Sequence, residues 1–439
     1  MNLNQYPDMG KIRHYVDMLD ITRSIQYEYK TENVQPILDQ VENQLREGLE
    51  RLRNLTPNAE LKEKEPDSLE EIRKLRPDGP RQLPYQFDRE QYRSKLAGAL
   101  YARVAGCLLG SIVENWSIEE MKSWAIQTGD AFPPVDYWST AKSPLETRYL
   151  VSKCIEYTKS GMHGAPADDD IIYILASLMI LEQYGTEFTT AQVGDFWDQY
   201  LPWIYLDMVY PLEKYKKEGL PALQAADDNP YGQLICPYIR IDGYAWICPG
   251  EPEKAAELAY RDAIMSHRRN GVYGAMLFAA TEAAAFAVDD PVKAIEIGLT
   301  EIPADCTLAY FVREALADRD RIQSYEDARN WVDKRFEGMD RVHTINNACL
   351  TVFGVLLGKT DITRVISQTV AMGLDNDCNA ATAGSISGAV AGIEKVSPHW
   401  IIPMQNRIHS YIKGYEYFFI DDVINRYVNI TEQRMKQEA

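Results

Sequence analysis

The sequence predicts an all-α protein whose central helices are unusually rich in alanine and glycine. Apolar residues recur at helical spacing, first in Val34–Leu55 and then in longer stretches of the chain. Runs of alternating β-branched residues hardly occur, and the best strand candidate, Leu234–Asp242, is short. No repeat of fixed period is visible. We therefore expect a fold built by packing helix on helix.

The N-terminal part of the chain differs in composition from the rest. Residues 1–90 are predicted to form a helical extension with a linker, and residues 91–439 the main domain. Val34–Leu55 places its apolar residues in one narrow stripe of an amphipathic helix. The charged, proline-containing stretch that follows holds one short predicted helix, Leu69–Leu75. Two alternatives are open for the extension: it covers an apolar face of the main domain, or it forms a homodimer.

Three stretches of the main domain are rich in small residues. They begin at Ser94, at Gly274 and at Asn379. In the last one a small residue recurs at every fourth position, at Ala380, Gly384, Gly388 and Gly392. Each glycine inside a helix costs about 1 kcal/mol relative to alanine. The stripe is therefore expected to be offset by close packing against a neighbouring helix.

Charge and cysteine usage exclude several classes of function. The formal net charge is −19, which disfavours nucleic acid and anionic membrane as partners. The seven cysteines are scattered without a CxxC pair, so a zinc site or a disulfide framework is not indicated. The most apolar run, Ile171–Leu181, is too short to span a bilayer. Without a signal-peptide pattern at the N-terminus, a cytoplasmic protein with buried thiols is expected.

A triplet of aspartates, Asp168 to Asp170, opens the most apolar predicted helix. Other adjacent aspartates in the chain are explained as helix caps or turns, and the pair at 289–290 stands directly before a proline. Three adjacent carboxylates near a core are costly unless something neutralises them. A hard cation with oxygen ligands would do so. A metal site and a capping cluster remain alternatives on this pattern alone.

A second acidic motif immediately precedes the small-residue helix. Asp375 and Asp377 stand two residues apart, so an extended segment would point them in the same direction. If the N-termini of both helices meet, the two clusters would share one metal or a metal pair; otherwise they are two independent caps. Glu114 follows another small-residue helix and could act as a base or accept a metal-bound water. A lone glutamate is also typical of a solvent-facing position.

The remaining catalytic patterns are weak. The six histidines form no HExxH spacing, and no GxSxG, P-loop or GxGxxG motif is present. Serine-hydrolase and nucleoside-triphosphate chemistry are therefore poorly supported. His267 lies just before a predicted helix and is either a polar ligand contact or part of a helix start.

In this order, the segments GCLLGSIVE, ADDDIIYILASLMILE and GLDNDCNAATAGSISGAVAG, followed by SPHW, resemble the ADP-ribosylglycohydrolase family. The similarity runs from about Tyr92 to about Trp400. The resemblance implies an all-α, orthogonal helical bundle with a magnesium pair at the base of a cleft. It also implies cleavage of an N- or O-glycosidic bond at the anomeric carbon of a ribose.

The resemblance assigns roles to individual residues of this chain. The implied metal ligands are Asp168, Asp169, Asp375 and Asp377. Glu114 falls on the glutamate that gates or activates the site, and Asp169 or Glu114 would take the proton of the attacking water. The segment around His267 resembles a family segment that precedes a helix, which would bring His267, Gly271 and Tyr273 near the ligand.

Several positions depart from the family pattern. Cys107 stands at an aspartate position, and Ala167 and Cys378 stand where the family has hydroxyl side chains. A thiol is a poor partner for magnesium. We expect a site for Mg²⁺, or Mn²⁺, that holds one ion or two.

The sequence therefore predicts a metal-dependent glycoside hydrolase of small-molecule or protein-linked ADP-ribosides or related ribosides. The rivals are a ligand-binding protein on the same fold with impaired catalysis, and a metal-dependent phosphate-ester hydrolase.

Overall fold

The fold is known from a computed structural model, which describes residue 3 and residues 5–438. The chain is 64% helical and carries 20 α-helices in its described part, so the all-α prediction is confirmed. The helices are α1 Gly10–Glu28, α2 Val34–Arg53, α3 Ala59–Lys64, α4 Leu69–Leu75, α5 Arg89–Ser111, α6 Ile118–Thr128, α7 Asp169–Tyr184, α8 Thr190–Tyr200, α9 Leu206–Lys216, α10 Asp242–Trp246, α11 Pro252–Ala263, α12 Asn270–Ala285, α13 Pro291–Gly298, α14 Thr307–Ala317, α15 Tyr325–Arg335, α16 Thr344–Gly358, α17 Ile362–Ala371, α18 Asn376–Ala391, α19 Pro398–Ile401 and α20 Ile420–Glu438.

The described strands form two antiparallel pairs. These strands are β1 Thr147–Arg148, β2 Ser152–Lys153, β3 Arg407–His409 and β4 Tyr417–Phe419. The best strand candidate of the sequence, Leu234–Asp242, does not form a strand, because Cys236–Ile239 forms a 3-10 helix and α10 begins at Asp242. Pro237 explains the difference: it cannot donate to a sheet ladder, and its fixed φ suits the first turn of a helix.

The chain divides into two compact units. One comprises residues up to Glu63 together with Arg335–Met339, and the other holds the rest of the chain. In the first unit α2 confirms the predicted amphipathic helix and exposes 47–65% of Leu45, Leu49 and Leu52. By packing, residues 64–90 belong to the larger unit. The division into an extension of residues 1–90 and a catalytic domain of residues 91–439 stays a prediction.

The core of the larger unit is organised around α5 and α18, which pack backbone to backbone. A Cβ atom at Gly106 would lie 2.3 Å from the carbonyl oxygen of Ala380, and one at Gly388 would lie 2.3 Å from that of Gly98. A hydrogen atom is the largest substituent that fits at these positions. The small-residue stripe is thus offset by close packing, as its spacing predicted.

The predicted helix starts agree with the structure. Asp168 caps α7, Asp290 caps α13, and Ser68 caps the short helix α4. Residues Ile171–Leu181 of α7 are buried. Among the described residues, no helix combines the length and the apolar character that a membrane span requires.

Candidate metal and ligand site

The N-termini of α7 and α18 meet beside the C-terminal end of α5. Asp168 and Asp375 are the residues that precede α7 and α18, and Asp377 lies in the first turn of α18. Contact between the two helix starts is close, since carboxylate oxygens of Asp170 and Asp377 lie within 4.8 Å of each other. The aspartates that the sequence singled out, roughly 200 residues apart, are therefore brought together.

Close packing positions the second motif. A Cβ atom at Gly110 of α5 would lie 2.4 Å from Cα of Asp377, so the last turn of α5 touches the backbone of the acidic motif. Glu114 lies three residues after the end of α5. One of its carboxylate oxygens lies within 4.8 Å of carboxylate oxygens of Asp375 and Asp377. All three of these candidate residues therefore face one point.

Burial makes the carboxylates poorly solvated. Desolvation and the nearby Glu114 raise the pKa of Asp375 to about 7. The same two causes raise the pKa of Asp377, and desolvation with the charge of Asp168 raises that of Asp169. Among the described residues, Oδ1 of Asp375 and Oδ1 of Asp377 have no hydrogen-bond partner. Two unpartnered, buried carboxylate oxygens beside a third carboxylate form a donor set suited to a hard divalent cation.

The cysteines near the site are poorly suited to bind a hard divalent cation. Cys107 lies close to Asp168 and Asp170, and Cys378 close to Asp170 and Asp377. Burial, followed by the charges of these aspartates, raises the pKa of both thiols well above the usual range. They therefore stay protonated, and a neutral thiol is a poor ligand for a hard ion. The all-oxygen group of Glu114, Asp375 and Asp377 is the one that fits.

Asp170 belongs partly to the structural core. Its Oδ1 lies 3.3 Å from the buried guanidinium of Arg103, which also contacts Asp242 Oδ1 at 2.8 Å. This buried pairing ties α7 to α5 and α10 directly behind the acidic cluster.

Two residues of the β1–β2 hairpin enter the acidic cluster. The Arg148 side chain, 17% exposed, donates from Nη2 to Asp377 Oδ2 at 3.2 Å and to Asp168 Oδ2 at 3.4 Å. Its Nη1 donates to Glu114 Oε2 at 3.1 Å. The neighbouring Tyr149 hydroxyl donates to Asp169 Oδ1 at 2.7 Å.

Sequence reasoning missed Arg148 and Tyr149. No motif or spacing marks them, because their position depends on how a short hairpin turns. Only their place in the chain, shortly before the aspartate triplet, links them to the site.

A cavity of about 200 Å³ opens in front of these carboxylates. It is lined by Glu114, Tyr149, Asp169, Tyr205, Leu206, Asp207, Tyr231, Leu234, Ile235, Cys236, Ile239, Val342, Asp375, Asp377 and Cys378. Tyr149 packs edge-on against Trp203, with ring centroids 4.6 Å apart. The site thus combines acidic groups at one end with apolar and aromatic walls, an arrangement typical of small-ligand pockets.

The predicted ligand contacts His267, Gly271 and Tyr273, in and just before α12, lie outside this cavity. Nε2 of His267 is 3.4 Å from Oδ2 of Asp207, so the histidine stands behind a cavity-lining residue, and burial lowers its pKa. Tyr273 donates its hydroxyl to the carbonyl oxygen of Pro66, and Gly271 packs against the backbone of Gly232. None of the three predicted contacts lines the described cavity. Their part in ligand binding stays a prediction.

Comparison with known proteins points to one family. A family model described as ADP-ribosylglycohydrolase matches residues 88–433. A solved structure titled "ADP-ribosylglycohydrolase-related protein complex" is similar, with 16% identity over 78% of this chain and 99% of that chain and a TM-score of 0.46. No curated protein sequence matches significantly.

Proposed function

The chain belongs to the ADP-ribosylglycohydrolase family, and from this premise we propose that it is a metal-dependent hydrolase of an ADP-ribosyl or related riboside bond. The observation that carries the proposal is the all-oxygen group of Glu114, Asp375 and Asp377, two of whose buried oxygens have no hydrogen-bond partner among the described residues. This group opens onto a cavity of about 200 Å³ with apolar and aromatic walls, an arrangement typical of small-ligand pockets.

The carboxylates have distinct roles in the proposal. Glu114, Asp375 and Asp377 would hold the ion, Mg²⁺ or Mn²⁺, with Asp168 and Asp169 beside it. When bound, the ion supplies Lewis-acid polarisation and a template for ribose hydroxyls. Positive charge that develops at the anomeric carbon is stabilised by the surrounding carboxylates.

We assign the proton transfer to Asp169. Its carboxylate lines the cavity, and its raised pKa makes the ionised form a stronger base for the attacking water. The hydroxyl of Tyr149 orients it through the bond to Oδ1. Glu114 is the weaker candidate because its Oε2 accepts from Arg148 and its Oε1 accepts from Asn115 at 2.8 Å.

Calorimetric titration of ADP-ribose, with Mg²⁺ and with a chelator, tests the ligand class. Magnesium-dependent binding is expected, followed by release of free ADP-ribose from ADP-ribosyl conjugates. Asp169→Asn should keep ADP-ribose binding and lower turnover by about 100-fold or more, because it removes the base alone.

The matched control is Asp305→Asn, which changes an exposed aspartate in the same way and should leave both quantities unchanged. Full turnover by Asp169→Asn would refute its assignment. Absence of binding under both conditions would move the substrate away from ADP-ribose.

A second candidate is a binding protein on the same fold that no longer catalyses. The observation that favours it is the guanidinium of Arg148 among the carboxylates, where it contacts Asp168 and Asp377. Binding of ADP-ribose without turnover of any riboside would support this alternative.

The proposal also covers the compartment and the oligomeric state of the protein. We place the protein in the cytoplasm, which suits its seven cysteines, six of which are buried. A homodimer through the extension is supported by the exposed leucines of α2.

A further inference from the structure

The β1–β2 hairpin supplies a positive charge at the centre of the acidic cluster. One nitrogen atom, Nη2 of Arg148, lies within 3.4 Å of carboxylate oxygens of Asp168, Asp377 and Glu114. These carboxylates come from the start of α7, from the first turn of α18 and from the segment after α5. The guanidinium therefore joins three separate parts of the chain in the way that a bridging metal ion would.

The two carboxylate oxygens of Asp377 have different surroundings: one contacts the guanidinium of Arg148, and the other faces the proposed ion ligands Asp375 and Glu114. Oδ2 accepts from Arg148 at 3.2 Å, whereas Oδ1 has no partner among the described residues. The unpartnered Oδ1 of Asp375 and the carboxylate of Glu114 lie beside it. The cluster thus offers two adjacent cation positions, and Arg148 fills one of them.

The hairpin is fixed in this position from both sides. The backbone amide of Ala167, directly before Asp168, donates to Ser152 Oγ at 3.0 Å. Arg148 pairs with Ser152 across the hairpin, so the same anchor holds the arginine in register. Arg148 also donates to the carbonyl oxygen of Ser111 at 2.5 Å. The backbone of Arg148 is thus held by its strand partner. Its side chain donates to five acceptors, which are oxygens of Ser111, Glu114, Tyr149, Asp168 and Asp377, so the arginine is built into the site.

We propose that Arg148 is a permanent cation of this site that takes the place of a second metal ion, so that the protein binds a single divalent ion at Glu114, Asp375 and Asp377. The proposal rests on the proposed function only for the metal itself and is independent of the substrate. The thiol of Cys378 and the methyl group of Ala167 agree with it, because neither offers an oxygen ligand for another ion.

Counting bound Mn²⁺ tests the proposal. Calorimetry and electron paramagnetic resonance of the full chain should give one ion for the wild type. Arg148→Gln removes the charge and its contacts with Oδ2 of Asp168 and Oδ2 of Asp377, and should bind two ions. Two ions about 4 Å apart would give a spin-coupled spectrum that a single ion does not. Arg148→Lys keeps the charge and should stay at one.

The matched control is Arg93→Gln, which removes a half-buried arginine on α5 and should also stay at one. Two ions in the wild type, or one ion in a folded Arg148→Gln, would overturn the proposal. If Arg148→Gln does not fold, anomalous diffraction from wild-type crystals grown with Mn²⁺ decides. One peak beside an undisplaced guanidinium supports the proposal, and two peaks refute it. A wild type that binds no ion refutes both this proposal and the metal dependence of the proposed function.

Discussion

Asp375 gives the site a measurable pH dependence. Its pKa in the folded chain is about 7, because burial and the charge of Glu114 disfavour the ionised form. An exposed aspartate in the unfolded chain titrates near 4. Between about pH 4 and pH 7 the folded state therefore holds a proton that the unfolded state has lost. The stabilisation that comes from binding this proton at Asp375 is fully present below pH 4 and is lost as the pH rises to 7.

Asp375→Asn should remove this pH dependence, because asparagine has a similar shape and no charge. Between pH 5 and pH 8, in a chelator, the variant should gain about 2–3 kcal/mol of unfolding free energy relative to the wild type. Urea denaturation at both pH values measures this difference. Added Mg²⁺ should stabilise the wild type and not the variant. A pH-independent difference would contradict the assigned pKa.

At the scale of residues, the sequence predicted the carboxylates better than their partners. Asp168 and Asp375 stand at helix starts, and a helix start leaves a local signature in the chain. Arg148 reaches the cluster only through a turn in which Tyr149 and Leu150 both have positive φ, 52° and 60°. Neither tyrosine nor leucine favours a positive φ, so the local sequence did not predict the hairpin.

At the scale of elements, the contact between α5 and α18 sets the position of the site. Gly110→Ala should test this, because the added Cβ would lie 2.4 Å from Cα of Asp377 and one backbone must move. We expect a loss of about 1–3 kcal/mol in stability and at least a tenfold weaker affinity for Mn²⁺. Thermal unfolding and calorimetric titration measure the two effects.

The control for this change is Gly48→Ala in α2, where a Cβ would meet no heavy atom within 4 Å. Both substitutions replace glycine by alanine in a helix, but Gly48→Ala should stabilise its helix by up to about 1 kcal/mol. Equal effects of the two variants would mean that the contact at Gly110 does not position Asp377.

The sequence predicted this element-scale contact only in part. The small residues at every fourth position of α18 indicated a closely packed neighbouring helix. The spacing on one helix does not, however, identify which helix packs against it. The strand candidate Leu234–Asp242 is helical for a related reason. Its residue types alone favour a strand, whereas Pro237 and the buried surroundings favour the helical conformation.

At the scale of the larger unit, residues 64–90 pack as part of the fold. Their charges, which suggested a linker in the sequence, find partners far along the chain: Arg76 lies 2.9 Å from Glu253, and Arg81 lies 2.8 Å from Glu301. A local sequence pattern cannot predict such partners, because the paired residues are more than 170 positions apart in the chain.

Glu65 is the buried anchor of this segment. Its side chain is fully buried and accepts from the backbone amide of Thr307 at 2.8 Å, from Asn270 at 3.1 Å and from Arg269. The carboxylate thus serves the positive end of α14 and the start of α12 together. Glu65→Ala should leave these donors without their acceptor and lower the unfolding free energy by about 2–4 kcal/mol, measured by urea denaturation.

The matched change is Glu63→Ala, two residues earlier on an exposed position, which should alter stability by less than about 0.5 kcal/mol. Because Glu65 bonds to Arg269, Asn270 and Thr307, which are not among the proposed ion ligands, both variants should keep the Mn²⁺ affinity of the wild type where they are folded. An unaltered unfolding free energy in Glu65→Ala would show that residues 64–90 are held by their other ion pairs and that this carboxylate is dispensable.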